Sequence, residues 1–347
     1  MKFKLSVLDV SPVSSGSTGT QALHNTLDLA RLADRLGYER YWLAEHHNLP
    51  NIASSSPEVM IGHVASVTGR IRVGAGGIML PNHAPIKVVE TFRVLEALHP
   101  GRIDLGIGRA PGTDPVTASA LRRMRDAREA ASADDFPQQF GEMLAFAGDG
   151  FPESHPFRSL IAMPSEVELP PIWLLGSSGY SARAAAEMGL GYAFASHFSP
   201  ADPTPFIRDY IENFEPSDNF ARPSAVLAVS VVCGENEEHA EELGSSMKLA
   251  WVRLRSGKPT PLPSPEEALA YQYGPAERRL AEAYASMQIT GGADSVRMRI
   301  EEIVDHTGAD EIMVTTNVYD HGERLRSYER LAGVFEIIPS KSVGGAL

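Results

Sequence analysis

Eight short apolar runs punctuate this chain, at residues 3–10, 38–44, 71–80, 102–108, 171–176, 191–195, 225–233 and 309–315, and each is followed by a turn or a helix-forming stretch. Strand alternating with helix points to a parallel sheet covered by helices, because a parallel strand can return only through a long crossover. A doubly wound dinucleotide binder would carry a glycine fingerprint after its first strand. Here that strand runs into Asp9-Val10-Ser11-Pro12 instead. The pattern therefore predicts an α/β protein of the (β/α)₈ TIM-barrel class, with a doubly wound sheet as the alternative.

The length of 347 residues suits one such domain, residues 1–347, and no stretch reads as a linker. Two irregular segments, about 109–165 and 256–292, are expected to be loop insertions over the C-terminal mouth. The net charge of −13 argues against nucleic-acid and anionic-membrane partners. The single cysteine, Cys233, excludes an intrachain disulfide and reads as a small buried apolar residue. No signal-peptide pattern opens the chain and no run reaches membrane-span length, so a cytoplasmic location is expected.

The chemistry is expected where strands end, at the carboxyl rim. The second strand runs through Tyr41-Trp42-Leu43-Ala44 straight into Glu45-His46-His47-Asn48. Adjacent histidines in extended chain point to opposite sides, so they do not share a metal, and no H-E-x-x-H motif is present. His46, the first histidine past the strand, suits proton transfer near neutral pH. The third strand carries Gly74, Gly76 and Gly77, which would let a flat ring lie against its backbone. Arg109 closes the fourth strand, with Arg122 and Arg123 further on as candidates for a phosphate contact. The fifth strand leads through Gly176-Ser177-Ser178-Gly179-Tyr180-Ser181 into an alanine-rich helix, whose free amides and hydroxyls suit a phosphate group. Serine N-capping alone would look the same.

In order and spacing, the stretches EHH, VGAGG, GIGRAPG and LLGSS resemble the bacterial luciferase-like flavin-dependent monooxygenases over most of the chain. The resemblance implies reduced FMN as cofactor, held by Gly76, Gly77, Arg109, Ser178, Gly179, Tyr180 and Ser181, with a non-prolyl cis peptide at Gly76–Gly77. It implies His46 as the catalytic residue. The reaction would use dioxygen, through a C4a-peroxyflavin, to oxygenate a small organic substrate such as an aldehyde or an aromatic polyketide. The reduced flavin would come from a separate NAD(P)H:flavin reductase. Where the light-emitting subunit of the family has a cysteine and an acidic residue, this chain has Gly108 and Ser177, and only Lys258 falls in the lid segment. Alternatives on the same barrel are a deazaflavin-dependent dehydrogenase and a non-catalytic flavin-binding protein. A homodimer is expected through residues 57–69 and 84–98, where Val59, Met60, Val64, Val67, Ile86, Val89, Phe92 and Leu95 offer more apolar surface than one barrel face uses.

Overall fold

The computed structural model describes residues 2–123, 135–148 and 150–337. Its strands are β1 (Lys4–Asp9), β2 (Arg40–Leu43), β3 (Arg72–Ala75), β4 (Ile78–Met79), β5 (Ile103–Gly108), β6 (Ile172–Gly176), β7 (Gly191–Ala195), β8 (Ala225–Cys233), β9 (Gln288–Gly291) and β10 (Glu311–Thr315). All pair in parallel, and the ring closes where β10 joins both β8 and β1. Counting β3 and β4 as one stave and leaving β9 outside the ring, this is the eight-staved parallel barrel that the alternation predicts.

The helices are α1 (Gly19–Leu36), α2 (Pro57–Val67), α3 (Pro85–Leu98), α4 (Pro115–Arg122), α5 (Phe136–Ala147), α6 (Gly179–Glu187), α7 (Thr204–Glu212), α8 (Glu237–Arg255), α9 (Pro265–Ala270), α10 (Pro275–Met287), α11 (Ala293–Thr307) and α12 (His321–Val334). α1 shows how locally the boundaries are set. Thr18 caps its first turn by accepting from the Gln21 amide, and Gly37 ends it at φ 96°, a left-handed conformation that costs glycine little.

Two readings of the sequence need correction. The run 71–80 is not one strand: after β3 the chain breaks at a cis Gly76–Gly77 peptide, resumes as β4 and turns at Leu80–Asn82. A ninth stave-like strand was also missed. β8 is nine residues long; its first half pairs with β10 and its second half with β9, which lies inside segment 256–292. That segment also holds α9 and α10, while Leu262 is buried and exchanges backbone bonds with Val13 and Ser15 in the loop after β1.

The inside of the barrel is layered. Near the amino-terminal end Arg40 donates to Glu311 at 2.9 Å and to Asp104 at 3.0 Å, and Arg72 reaches Asp104 at 2.6 Å. These buried charges are paired and hydrogen-bonded, as burial of ions requires. Above them Trp42 and Trp173 meet edge to face at 5.4 Å and pack with Leu8, Ala193, Ala228 and Met313. Strand parity then puts small residues nearest the mouth, with Ala44 above Trp42 and Gly108 above Asp104. The larger core lies outside the staves, between barrel and helices.

The expected dimer surface is smaller than the sequence suggested. Met60, Val64, Val89, Phe92 and Leu95 are buried within the protomer, so counting them as spare surface was wrong. Val59 on α2 and Val94 and Leu98 on α3 remain exposed.

Candidate active site

Period-two parity decides which side chains of β2 reach the barrel mouth. Arg40, Trp42 and Ala44 face inward, and His46 continues that file; Tyr41, Leu43, Glu45 and His47 form the other file. The loop is pinned on both sides. The His46 amide donates to Ser54 at 2.9 Å, and the Ser54 hydroxyl donates to Ala44 at 2.6 Å.

The half-buried His46 ring is oriented by the loop after β5. Its Nδ1 lies 3.2 Å from the carbonyl oxygen of Gly112. A carbonyl only accepts, so Nδ1 carries the proton and Nε2 is left as the base. Gly112 sits at φ 65°, and a Cβ there would fall 2.7 Å from the Glu45 carbonyl, so glycine is what permits the approach. Thr113 and Asn48 add bonds of 2.8 and 3.0 Å between the two loops. Burial lowers the His46 pKa, outweighing the help of Gly112 and Glu45, which keeps the imidazole neutral near pH 7.

Glu45, fully buried, is the residue that sequence reasoning underrated. Its carboxylate accepts from His47 Nε2 at 2.9 Å, His83 Nε2 at 3.0 Å, the Met79 amide at 2.8 Å and Asn82 at 3.3 Å. Burial raises its pKa, but these bonds win and hold it at about 2. His83 responds in the opposite sense: burial lowers its pKa, and the bond to Glu45 raises it further than that. Glu45 thus ties the end of β2 to the end of β4. Arg122, a phosphate candidate from sequence, donates to Asn82 at 3.3 Å, and Arg123 is exposed at the end of α4.

Gly76 and Gly77 lie at the break between β3 and β4. The space their missing side chains free is taken by the protein itself. A Cβ on Gly76 would come within 2.7 Å of Leu8, and one on Gly77 within 2.7 Å of the Gly106 carbonyl. Close strand packing alone thus already favours glycine at both positions.

At the start of α6, Ser178 is exposed and its side chain makes no capping bond. Gly179, Tyr180 and Ser181 form the first helical turn. Ser181 is buried, and its hydroxyl donates to the Leu175 carbonyl at 3.3 Å, so it braces strand against helix. The Arg109 guanidinium lies over the Tyr180 ring at 4.8 Å, which brings a positive charge to the helix start. This rim offers amides, the exposed Ser178 hydroxyl and a guanidinium, the donor set a phosphate needs. His197 lies two residues past β7, where the chain turns, and its ring meets Phe198 edge to face at 4.6 Å.

A family model described as luciferase-like monooxygenase matches residues 1–311. A luciferase-like monooxygenase of Escherichia coli strain K12 is 41% identical over 95% of this chain and 96% of its own. The crystal structure of apo-MsnO8 superimposes with a TM-score of 0.87 at 37% identity, over 97% of this chain and 100% of that one. More distant is the oxygenating constituent of 3,6-diketocamphane monooxygenase from Pseudomonas putida, solved in complex with FMN. At 19% identity and a TM-score of 0.68, over 98% of this chain and 100% of that one, it shares the fold alone.

Proposed function

The chain belongs to the luciferase-like monooxygenase family, and from that premise we propose that it is a monooxygenase using reduced FMN and dioxygen on a small organic substrate. One observation carries the reading: a neutral, half-buried histidine faces the same mouth whose rim carries the phosphate-type donor set of Arg109 and α6. The cofactor complex of the distant diketocamphane enzyme supports FMN as the flavin.

When bound, FMN would supply the activation of dioxygen. The residues of the chain do the rest. Ser178, the amides of Gly179, Tyr180 and Ser181, and Arg109 would hold the phosphate, with the backbone at Gly76–Gly77 beside the ring. His46 Nε2 would accept and return a proton, its tautomer fixed by Gly112. Trp42 and Trp173 close the barrel below the mouth, which keeps water from entering through the interior. The small side chains above them leave the space for an aldehyde or an aromatic secondary metabolite. With no dinucleotide fingerprint, the chain would take its reduced flavin from an NAD(P)H:flavin reductase. Pairing through Val59, Val94 and Leu98 would give a homodimer.

The test compares ligands and electron acceptors. Replacing Ser178 with alanine should weaken FMN more than riboflavin, which lacks the phosphate; equal losses would reduce the motif to a helix start. Purified protein given reduced FMN, and separately a reduced deazaflavin, should consume oxygen only with the former. Oxidation of the deazaflavin without oxygen uptake would make the chain a dehydrogenase, and inertness toward both would make it a flavin-binding protein.

A further inference from the structure

The loop after β5 meets the rim of β2 and β4 at successive residues. The Pro111 carbonyl accepts from Asn82 Nδ2 at 3.0 Å. The Gly112 carbonyl stands 3.2 Å from His46 Nδ1 and accepts from the His47 amide at 3.4 Å. The Thr113 hydroxyl donates to the His47 carbonyl at 2.8 Å, and Asp114 Oδ2 accepts from Asn48 Nδ2 at 3.0 Å.

Gly112 is the weak point of this seam. Its φ of 65° suits glycine, and glycine equally tolerates the conformation reached when the peptide between Gly112 and Thr113 turns over. Turned over, that peptide would take its carbonyl away from His46 and aim the Thr113 amide at the ring. Nδ1 would then accept, its proton would move to Nε2, and the lone pair would be lost from the Nε2 position.

The neighbours of Gly112 oppose that turn. Asn48 stands at φ 56°, a left-handed conformation that glycine takes more cheaply and asparagine tolerates. What asparagine adds is the amide that reaches Asp114. The Asp114 carboxylate is itself anchored: Oδ1 caps α4 by accepting from the Val116 and Thr117 amides at 2.9 and 3.1 Å, and Oδ2 accepts from the Thr117 hydroxyl at 2.6 Å. Asn48 is thereby tied to the start of α4. Thr113, between Gly112 and Asp114, has its own bond to His47.

We propose that Asn48, Thr113 and Asp114 are positioning residues that fix the tautomer of His46, by holding the Gly112 carbonyl toward Nδ1 so that Nε2 keeps its lone pair. The inference rests on the monooxygenase reading only in giving Nε2 a proton to take. Each bond is worth about tenfold in the balance between the two peptide orientations.

Nitrogen NMR of histidine-labelled, flavin-free protein reads the tautomer directly, with the His46 signals assigned from His46→Gln. The wild type should carry the proton on Nδ1. Asn48→Gly keeps the left-handed backbone and removes the amide, and Thr113→Val keeps the shape and removes the hydroxyl. Combined, they should bring a measurable share of His46 to the Nε2–H form. Exchanging the first pair, Asn48→Asp with Asp114→Asn, reverses the bond while asparagine still caps α4, and should restore the wild-type tautomer beside Thr113. A wild-type proton on Nε2 overturns the proposal. So does an unchanged tautomer in the combined variant, whatever its melting temperature, since the loop contacts would then be structural alone. If the wild type consumes no oxygen with reduced FMN, the monooxygenase reading fails, while the tautomers, read without flavin, decide this proposal by themselves.

Discussion

The carboxylate of Glu45 lies between two imidazoles from different parts of the chain, 2.9 Å from His47 Nε2 and 3.0 Å from His83 Nε2. Two ends of the barrel rim are joined through one buried charge. Removing it strands both histidines and the Met79 amide. Glu45→Ala should destabilise the fold by about 3 kcal/mol, within the range for breaking a buried ion pair, and Glu45→Gln by less. Urea unfolding at pH 7 measures both.

Acid should act in two separate windows. His197 has its pKa lowered from 6.5 to about 4, so the unfolded chain binds more protons there and stability falls as pH drops from 6.5 toward 4. Glu45 is lowered from 4.5 to about 2, so its contribution is complete above 4.5 and is lost as pH falls toward 2. Each group adds a slope of at most about 1.4 kcal/mol per pH unit. In unfolding curves taken across pH, His197→Phe should flatten the upper window and Glu45→Gln the lower.

His46→Ala should leave FMN affinity intact while slowing oxygenation by about 10²–10⁴, the usual worth of general acid–base help. His47→Ala removes a ligand of Glu45 and should lower stability instead. Single-turnover kinetics with reduced FMN, beside thermal melts, separates the two; unchanged product yield in His46→Ala rejects the role.

Arg109→Lys should not be conservative, because an ammonium cannot stack on Tyr180 as the guanidinium does. Flavin fluorescence titration should show FMN weakened by about tenfold, one charge-assisted bond, and riboflavin much less affected.

Glycines should divide by their surroundings. A Cβ at Gly106 would lie 2.0 Å from the Ala75 carbonyl, backbone against backbone, so Gly106→Ala should cost about 3 kcal/mol or more. Among the described residues nothing lies within 4 Å of a Cβ at Gly141, inside α5, so Gly141→Ala should stabilise by about 0.5–1 kcal/mol.

The barrel was legible because its signal is local: each stave is an apolar run, and each helix declares its start and stop, as Thr18 and Gly37 do for α1. The place of His46 was legible for the same reason, two residues past Ala44 on the inward file of β2. Glu45 was not, since its partners Met79 and His83 come from the stave beyond β3, and hydropathy does not announce a hydrogen bond across staves. The division of the run into β3 and β4 was not legible from hydropathy, which stays apolar through it, although the family resemblance placed the cis peptide at Gly76–Gly77. The dimer surface was overestimated because an apolar count along α2 and α3 does not say which residues face the barrel.

The closing pair of staves joins Lys4 to Glu311 and Val7 to Val314. At roughly 5–20 residues per second on the ribosome, β1 waits on the order of 15–60 s before its second neighbour is made. Through that interval one edge of the first strand is open to pairing with any other extended chain. Nascent protein should therefore depend on holding chaperones until the last stave emerges, and slowed synthesis late in the message should raise the fraction that aggregates.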